Sequence, residues 1–283
     1  MCMKCRELDV PHNIFANMPI KDSVSWNSII SGYASKGIWS KAFELFDKMR
    51  EAGFEEHLLL WNSLVDIYAR SEKVAVARRI FNLMSKKHVV TYTSLIAGYG
   101  IQGEGREAIE LFNEMIRLHI KPDHVTMIAA LSACSHSGLV MQGQKLFDQM
   151  QSTYGITPHL EHFFCMVDLF GRVGLLKKEK EIIMKIPYEP TPEMWATLLR
   201  ACKIHRNTEI GEWVAEKLLD LKPDNPRYYV LIANMYANAR RWNKLAEVRT
   251  VMQDFGVRKS PGCAWVNTGS GFSPFLVADT TSG

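Results

Sequence analysis

No apolar run in this chain approaches the roughly 20 residues that a helix needs to cross a bilayer, so no membrane span is expected. A Gly-rich phosphate loop and a nucleophile elbow are also missing, which argues against nucleotide hydrolysis and serine-type hydrolysis. Charge of one sign is in short supply. The 34 Lys and Arg residues stand against 30 Asp and Glu, and the net +4 permits a polyanionic partner without demanding one. Cysteine is sparse, with six among 283 residues. Cys134, Cys165, Cys202 and Cys263 stand alone, as small buried hydrophobes do, and this usage fits a reducing compartment. No secretory signal or Arg-rich transit peptide opens the sequence; Met1-Cys2-Met3-Lys4-Cys5 reads as the tail of a helix.

What the chain does have is internal repetition. An aliphatic residue, Phe, two variable residues and Met recur at Ile14-Phe15/Met18, Leu45-Phe46/Met49, Ile80-Phe81/Met84, Leu111-Phe112/Met115 and Leu146-Phe147/Met150. The Phe residues are spaced 31, 35, 31 and 35 positions apart. Periods in this range mark stacked supersecondary units. Four residues before each Phe stands a small residue, Ala42, Ala77, Ala108 or Gly143, with Pro11 in the first, partial unit. One helical turn separates the two, so they share a face on which a neighbouring helix can approach closely. A second amphipathic stripe precedes each of these, as at Trp26, Ile29, Ile30 and Tyr33, with the 0, 3, 4, 7 spacing of a helix. Gly37 and Gly103 interrupt the chain between stripes. Each unit is therefore expected to be a helical hairpin, and hairpins that cannot bury both faces alone must stack. The expected fold is all-α, a superhelical solenoid.

The segments SVSWNSIISGYASKGIWSKAFELFDKM and VVTYTSLIAGYGIQGEGREAIELFNEMIRLHIKPD resemble the pentatricopeptide repeats of plant proteins that mix repeat lengths. The resemblance implies a right-handed superhelix with these units: a partial short repeat at 1–22, then repeats at 23–57, 58–88 (short), 89–123, 124–159 and 160–191. Residues 192–225 and 226–259 resemble the family's two C-terminal extension motifs. Residues 260–283 resemble its further extension, whose Gly, Ser and Thr content reads as a loop or weakly ordered segment. The long repeat at 23–57 runs directly into a short one, and Gly53-Phe54-Glu55-Glu56-His57 lacks the family's usual Pro-Asp ending.

Repeats of this kind read about one base per helical unit with two or three side chains. The resemblance assigns readout to the fifth residue and the last residue of a repeat, and a base-sandwiching role to the second. Here these are Asn27 with His57, Asn62 with His88, and Thr93 with Asp123, with Val24, Leu59 and Val90 as sandwiching residues. It further implies a pyrimidine for Asn at the fifth position and guanine for Thr with Asp. Asn carries both donor and acceptor, and a carboxylate can accept from the N1–H and N2–H₂ of guanine. Ile128 and Phe164, at the fifth position of the next two units, offer no polar contact. Asn and Thr near a helix start are also what local caps require. Lys36, Arg70, Arg78 and Arg79 are candidates for phosphate contact or for ordinary surface charge.

Zinc deaminases need His-x-Glu followed by a Cys pair. Here His159-Leu160-Glu161 follows Cys2 and Cys5 by more than 150 residues, in the wrong order and on different repeats. His162/Cys165 and His205/Cys202 supply two ligands each, short of the usual four. Neither catalysis, a metal nor a cofactor is expected. The resemblance implies a specificity factor for organellar C-to-U RNA editing, mitochondrial or alternatively chloroplastic. It would bind single-stranded RNA and engage a deaminase or editing-complex proteins in trans through the extension motifs. RNA binding for splicing, processing or stability is one alternative, and a protein-binding scaffold is another.

Overall fold

Two apolar stripes per repeat, each about a dozen residues long and in most repeats divided by a glycine, dictate paired helices. The computed structural model describes residues 6–54, 58–71, 73–254, 263–267 and 272–276. It divides into two compact units, 1–190 and 191–283.

The first unit opens with α1 (Arg6–Asn17) and continues as five helical hairpins. These are α2 (Ser23–Ser35) with α3 (Trp39–Glu51), α4 (Leu58–Arg70) with α5 (Val74–Leu83), α6 (Val89–Ile101) with α7 (Gly105–Arg117), α8 (His124–His136) with α9 (Val140–Tyr154), and α10 (Leu160–Arg172) with α11 (Leu176–Lys185). First helices pack on first helices: α2 on α4, α4 on α6, α6 on α8, α8 on α10. Gly37 and Gly103 turn the chain inside their hairpins at φ 74° and 76°, a backbone region that glycine enters without steric penalty.

The recurrent Phe is the adhesive between hairpins. Four of the five meet the first aromatic of the following unit edge-on, with ring centroids 4.8 Å apart for Phe15–Trp26, 4.9 Å for Phe46–Trp61, 5.0 Å for Phe81–Tyr92 and 5.1 Å for Phe147–Phe163, while Phe112 meets Tyr154 of α9 at 5.8 Å. Such pairs add about 0.5–1.5 kcal/mol to the burial of their area. The small residues one turn earlier do what their size predicts. Ala42, Ala77 and Ala108 are fully buried, and a Cβ on Gly143 would sit 2.6 Å from Leu169 Cδ2. Among the described glycines of the first helices the tightest is Gly98 of α6, where an added Cβ would lie 2.6 Å from the Ala69 Cβ of α4.

One hairpin departs from this plan. Ile183 of α11 stands where the other units have Phe, and the residue four before it is Glu179 instead of Ala or Gly. Glu179 has no solvent exposure, and neither carboxyl oxygen has a hydrogen-bond partner among the described residues. It is accommodated because the facing residue on α10 is Gly171, where a Cβ would stand 3.0 Å from both carboxyl oxygens. Burial, followed by the negative charge of Asp168, pushes this carboxyl up to about 8.

The second unit holds α12 (Pro192–Ile204) with α13 (Thr208–Asp220) and α14 (Pro226–Asn238) with α15 (Trp242–Asp254). Thr191, Asn207 and Asn225 cap α12, α13 and α14 with their side-chain oxygens. The C-terminal segment corrects the sequence expectation of a loop. Strands β1 (Cys263–Asn267) and β2 (Phe272–Leu276) pair antiparallel, with Cys263 opposite Leu276 and Asn267 opposite Phe272. Trp265, Val266, Phe272 and Phe275 are strand formers, and within the two strands they outweigh the Gly and Ser content of the tail. Pro274 is tolerated because each strand of a two-stranded pair keeps an unpaired edge.

Candidate nucleic-acid interface

The row of first helices places one turn of each repeat at equivalent positions, and the sequence-assigned residues fall on that turn. Asn27, Asn62 and Thr93 sit half-buried one turn inside α2, α4 and α6. They are not caps. The capping role belongs to residues assigned as repeat ends: Asp123 caps α8 through Thr126 N–H, which donates to its Oδ1 at 2.8 Å, and His88 occupies the cap position of α6. Val24 and Val90 are exposed, at 69% and 54%. An exposed valine at the second position of a helix hides no area in the core, so it is free to pack on something else. Val125, 60% exposed at the same place in α8, extends this row. It was overlooked because Ile128 made its repeat unreadable. His57 and the side chain of Leu59 lie outside the described residues.

The structure joins two of the three assigned pairs through a residue that the sequence reading missed. In the third assigned pair, Thr93 Oγ1 lies 2.7 Å from Thr126 Oγ1, and the Thr126 hydroxyl donates to Asp123 Oδ1 at 2.8 Å. In the second, the Thr91 hydroxyl donates to Asn62 Oδ1 at 2.6 Å and accepts from His88 N–H at 3.3 Å. Thr91 and Thr126 are both fully buried and are the third residues of their helices. A visible signal existed: each stands three positions after its cap, the spacing of a capping box. Asn27 has no such bridge described. Its Oδ1 accepts from Ser31 Oγ on the same helix at 3.0 Å.

One turn further along, a second polar rung links neighbouring hairpins. Ser94 Oγ donates to Asp66 at 3.3 Å, and Ser135 Oγ donates to Asp168 at 2.6 Å. Arg70 is held by Asp66 at 2.8 Å. Arg78 lies 3.7 Å from Glu114 and over the Phe81 ring, and Arg79 covers Phe43. These three arginines are committed to intramolecular partners.

The histidines near the catalytic-looking motif have a structural role. His162 is buried at the third position of α10, where Thr91 and Thr126 stand in α6 and α8. Its Nδ1 accepts from His159 N–H at 3.0 Å, so Nε2 carries the proton and donates to His124 C=O at 3.2 Å. Both ring nitrogens are thus used. Burial, chiefly, holds its pKa below the usual imidazole value, in keeping with an Nδ1 that accepts a hydrogen bond.

Comparison with known proteins identifies the repeats and the fold. The PPR repeat is matched at residues 24–54, 59–89 and 125–152, the PPR repeat family at 87–136, and the E motif at 205–267. The pentatricopeptide repeat-containing protein At1g22830 of Arabidopsis thaliana is 42% identical, over 95% of this chain and 44% of its own length. The chloroplastic protein At1g08070 of the same plant is 34% identical over 98% of this chain and 42% of its own, and the mitochondrial At2g03880 is 33% identical over 95% and 48%. The chain thus spans less than half the length of these relatives. Among solved structures, maize PPR10 superposes with a TM-score of 0.56 at 17% identity, over 90% of this chain and 42% of that one. PPR10 in complex with an 18-nucleotide psaJ RNA element gives 0.57 at 16% identity, over 90% and 37%. Repeat matches, an all-helical hairpin stack and these relatives establish that the chain belongs to the pentatricopeptide repeat family and carries an E motif.

Proposed function

We propose that this chain binds single-stranded RNA in a plant organelle, one nucleotide per helical hairpin, and selects sites for C-to-U editing. The units at 23–57, 58–88 and 89–123 do the reading, and the two extension motifs at 192–225 and 226–259 engage a deaminase supplied in trans. The observation that carries the reading is the row on the first helices. Exposed Val24, Val90 and Val125 supply apolar walls against which a base can stack, and Asn27, Asn62 and Thr93 stand one turn beyond with polar groups for a base edge. Stacking gives affinity without sequence preference, whereas the polar groups give preference. Thr93 and Asp123 together offer acceptors to guanine, while Asn27 and Asn62 suit pyrimidines. The complex of the related fold with an RNA element and the E motif at 205–267 support the reading. The mitochondrion is the assigned compartment and the chloroplast the alternative, since relatives carry both names.

The test is a binding series with RNAs that differ only at the nucleotide facing Thr93 and Asp123. Wild type prefers G there, and Thr93→Asn moves the preference toward U, by roughly tenfold in each case, the discrimination a well-placed pair of hydrogen bonds supplies. An unchanged preference in the variant sinks the assignment.

A further inference from the structure

The buried threonines between hairpins do more than complete capping boxes. A threonine hydroxyl has one proton and two lone pairs, and around Thr126 all three are used. Its proton goes to Asp123 Oδ1 at 2.8 Å. One lone pair accepts from Asp123 N–H at 3.4 Å. The remaining contact is with Thr93 Oγ1 at 2.7 Å. Were Thr126 to donate to Thr93 instead, its oxygen would face the Asp123 carboxylate lone pair to lone pair at 2.8 Å, a repulsive arrangement in a buried setting. The proton of the Thr93–Thr126 bond therefore belongs to Thr93.

We propose that Thr126 is a positioning residue that fixes the hydrogen-bonding sense of the base-reading pair. With its proton committed to Thr126, Thr93 presents only lone pairs outward. Asp123, with Oδ1 occupied by Thr126 N–H and O–H, presents Oδ2. The subsite is then a double acceptor, which matches a base edge carrying two donors and rejects one whose central atom is itself an acceptor. Guanine has such an edge, while adenine, with N1 as an acceptor, does not.

Thr91 applies the same rule one hairpin earlier. It accepts from His88 N–H and donates to Asn62 Oδ1, which occupies the amide oxygen and turns the Asn62 NH₂ outward as a donor. Where the fifth residue is the apolar Ile128, the next helix has His162 in place of threonine, and that histidine bonds backbone groups instead. The threonine thus accompanies a polar reading residue in both described cases.

This inference rests on the RNA reading above and predicts a separable result. The 283-residue chain is titrated against four RNAs bearing G, A, C or U at the nucleotide facing Thr93, as wild type, Thr126→Val, Thr126→Ser and Thr126→Cys. Wild type favours G over A by roughly tenfold. In T126V the Thr93 hydroxyl is free to rotate and donate, so the G:A ratio falls to within about twofold while affinity for the other bases stays within about threefold. T126S keeps the hydroxyl and restores the wild-type ratio, a rescue that a purely structural role of the side-chain methyl would not give. Should T126V fail to fold, T126C carries the test, since its thiol, a weak acceptor for Thr93 and a weak donor to Asp123, gives a ratio between that of wild type and the twofold expected without any polar group. A wild-type ratio in folded T126V or in T126C overturns the proposal while leaving the RNA reading intact. Wild type without any preference at this nucleotide overturns both.

Discussion

Removing the charge at Glu179 should stabilise the α10–α11 hairpin above neutral pH. Its carboxyl is fully buried and has no hydrogen-bond partner among the described residues, and it is shifted from 4.5 to about 8 by burial and then by Asp168. The unfolded chain releases this proton near the ordinary value, whereas the folded chain holds it until about 8. Between the two, the folded state binds more protons, so its stability falls as pH rises. The contribution is fully present below about 4.5 and is lost as pH passes about 8. At about 1.36 kcal/mol per pKa unit the whole window amounts to about 5 kcal/mol, enough to open a single hairpin before the full penalty develops. From pH 6 to 8.5 the same arithmetic gives about 2.6 kcal/mol, or roughly a hundredfold in an opening equilibrium. Hydrogen exchange of α10 and α11 amides, corrected for the intrinsic rate, reads this directly. Wild type loses roughly a hundredfold of protection over that interval. Glu179→Gln stays flat, and Glu179→Ala, which restores the residue type found at Ala42, Ala77 and Ala108, is better protected than wild type at pH 8.5. An equal loss in Glu179→Gln, or none in wild type, refutes the reasoning.

Two further outcomes follow from the packing and from the proposed activity. Gly98→Ala places a Cβ 2.6 Å from that of Ala69, so α4 and α6 must separate at a cost of about 1–3 kcal/mol, read as a lower midpoint in urea unfolding; a midpoint equal to wild type would falsify the close-approach argument. Loss of the protein from its plant should abolish at least one C-to-U event among organellar transcripts, visible by sequencing RNA against organellar DNA. Intact editing at all sites would leave RNA binding without an editing role.

The stacked-hairpin plan was legible because helix amphipathicity is a local property that repeats. Phe46 and Ala42, one turn apart, announce a face that needs both bulk and room, and the structure fills it with Trp61 at 4.9 Å. The places of Asn62 and Thr93 on their helices were equally legible, since a half-buried polar residue at a fixed place in successive repeats keeps its place when the repeats stack. The β1–β2 pair was not. Composition over a two-dozen-residue tail averages strand formers together with the glycines that join them. Glu179 was also missed, because the signature it interrupts had already lost its Phe to Ile183.

By itself the sequence determined the helices, their pairing and the positions that share a face, all of which follow from spacing along one chain. Only the tertiary structure decided how those positions speak to one another. The Thr93 proton is directed by Thr126, 33 residues away in sequence, and the Glu179 charge is governed by the closed hairpin around it. The physical reason is that hydrogen-bond direction and ionisation depend on what surrounds a group in space, and neighbouring hairpins supply those surroundings only once they stack.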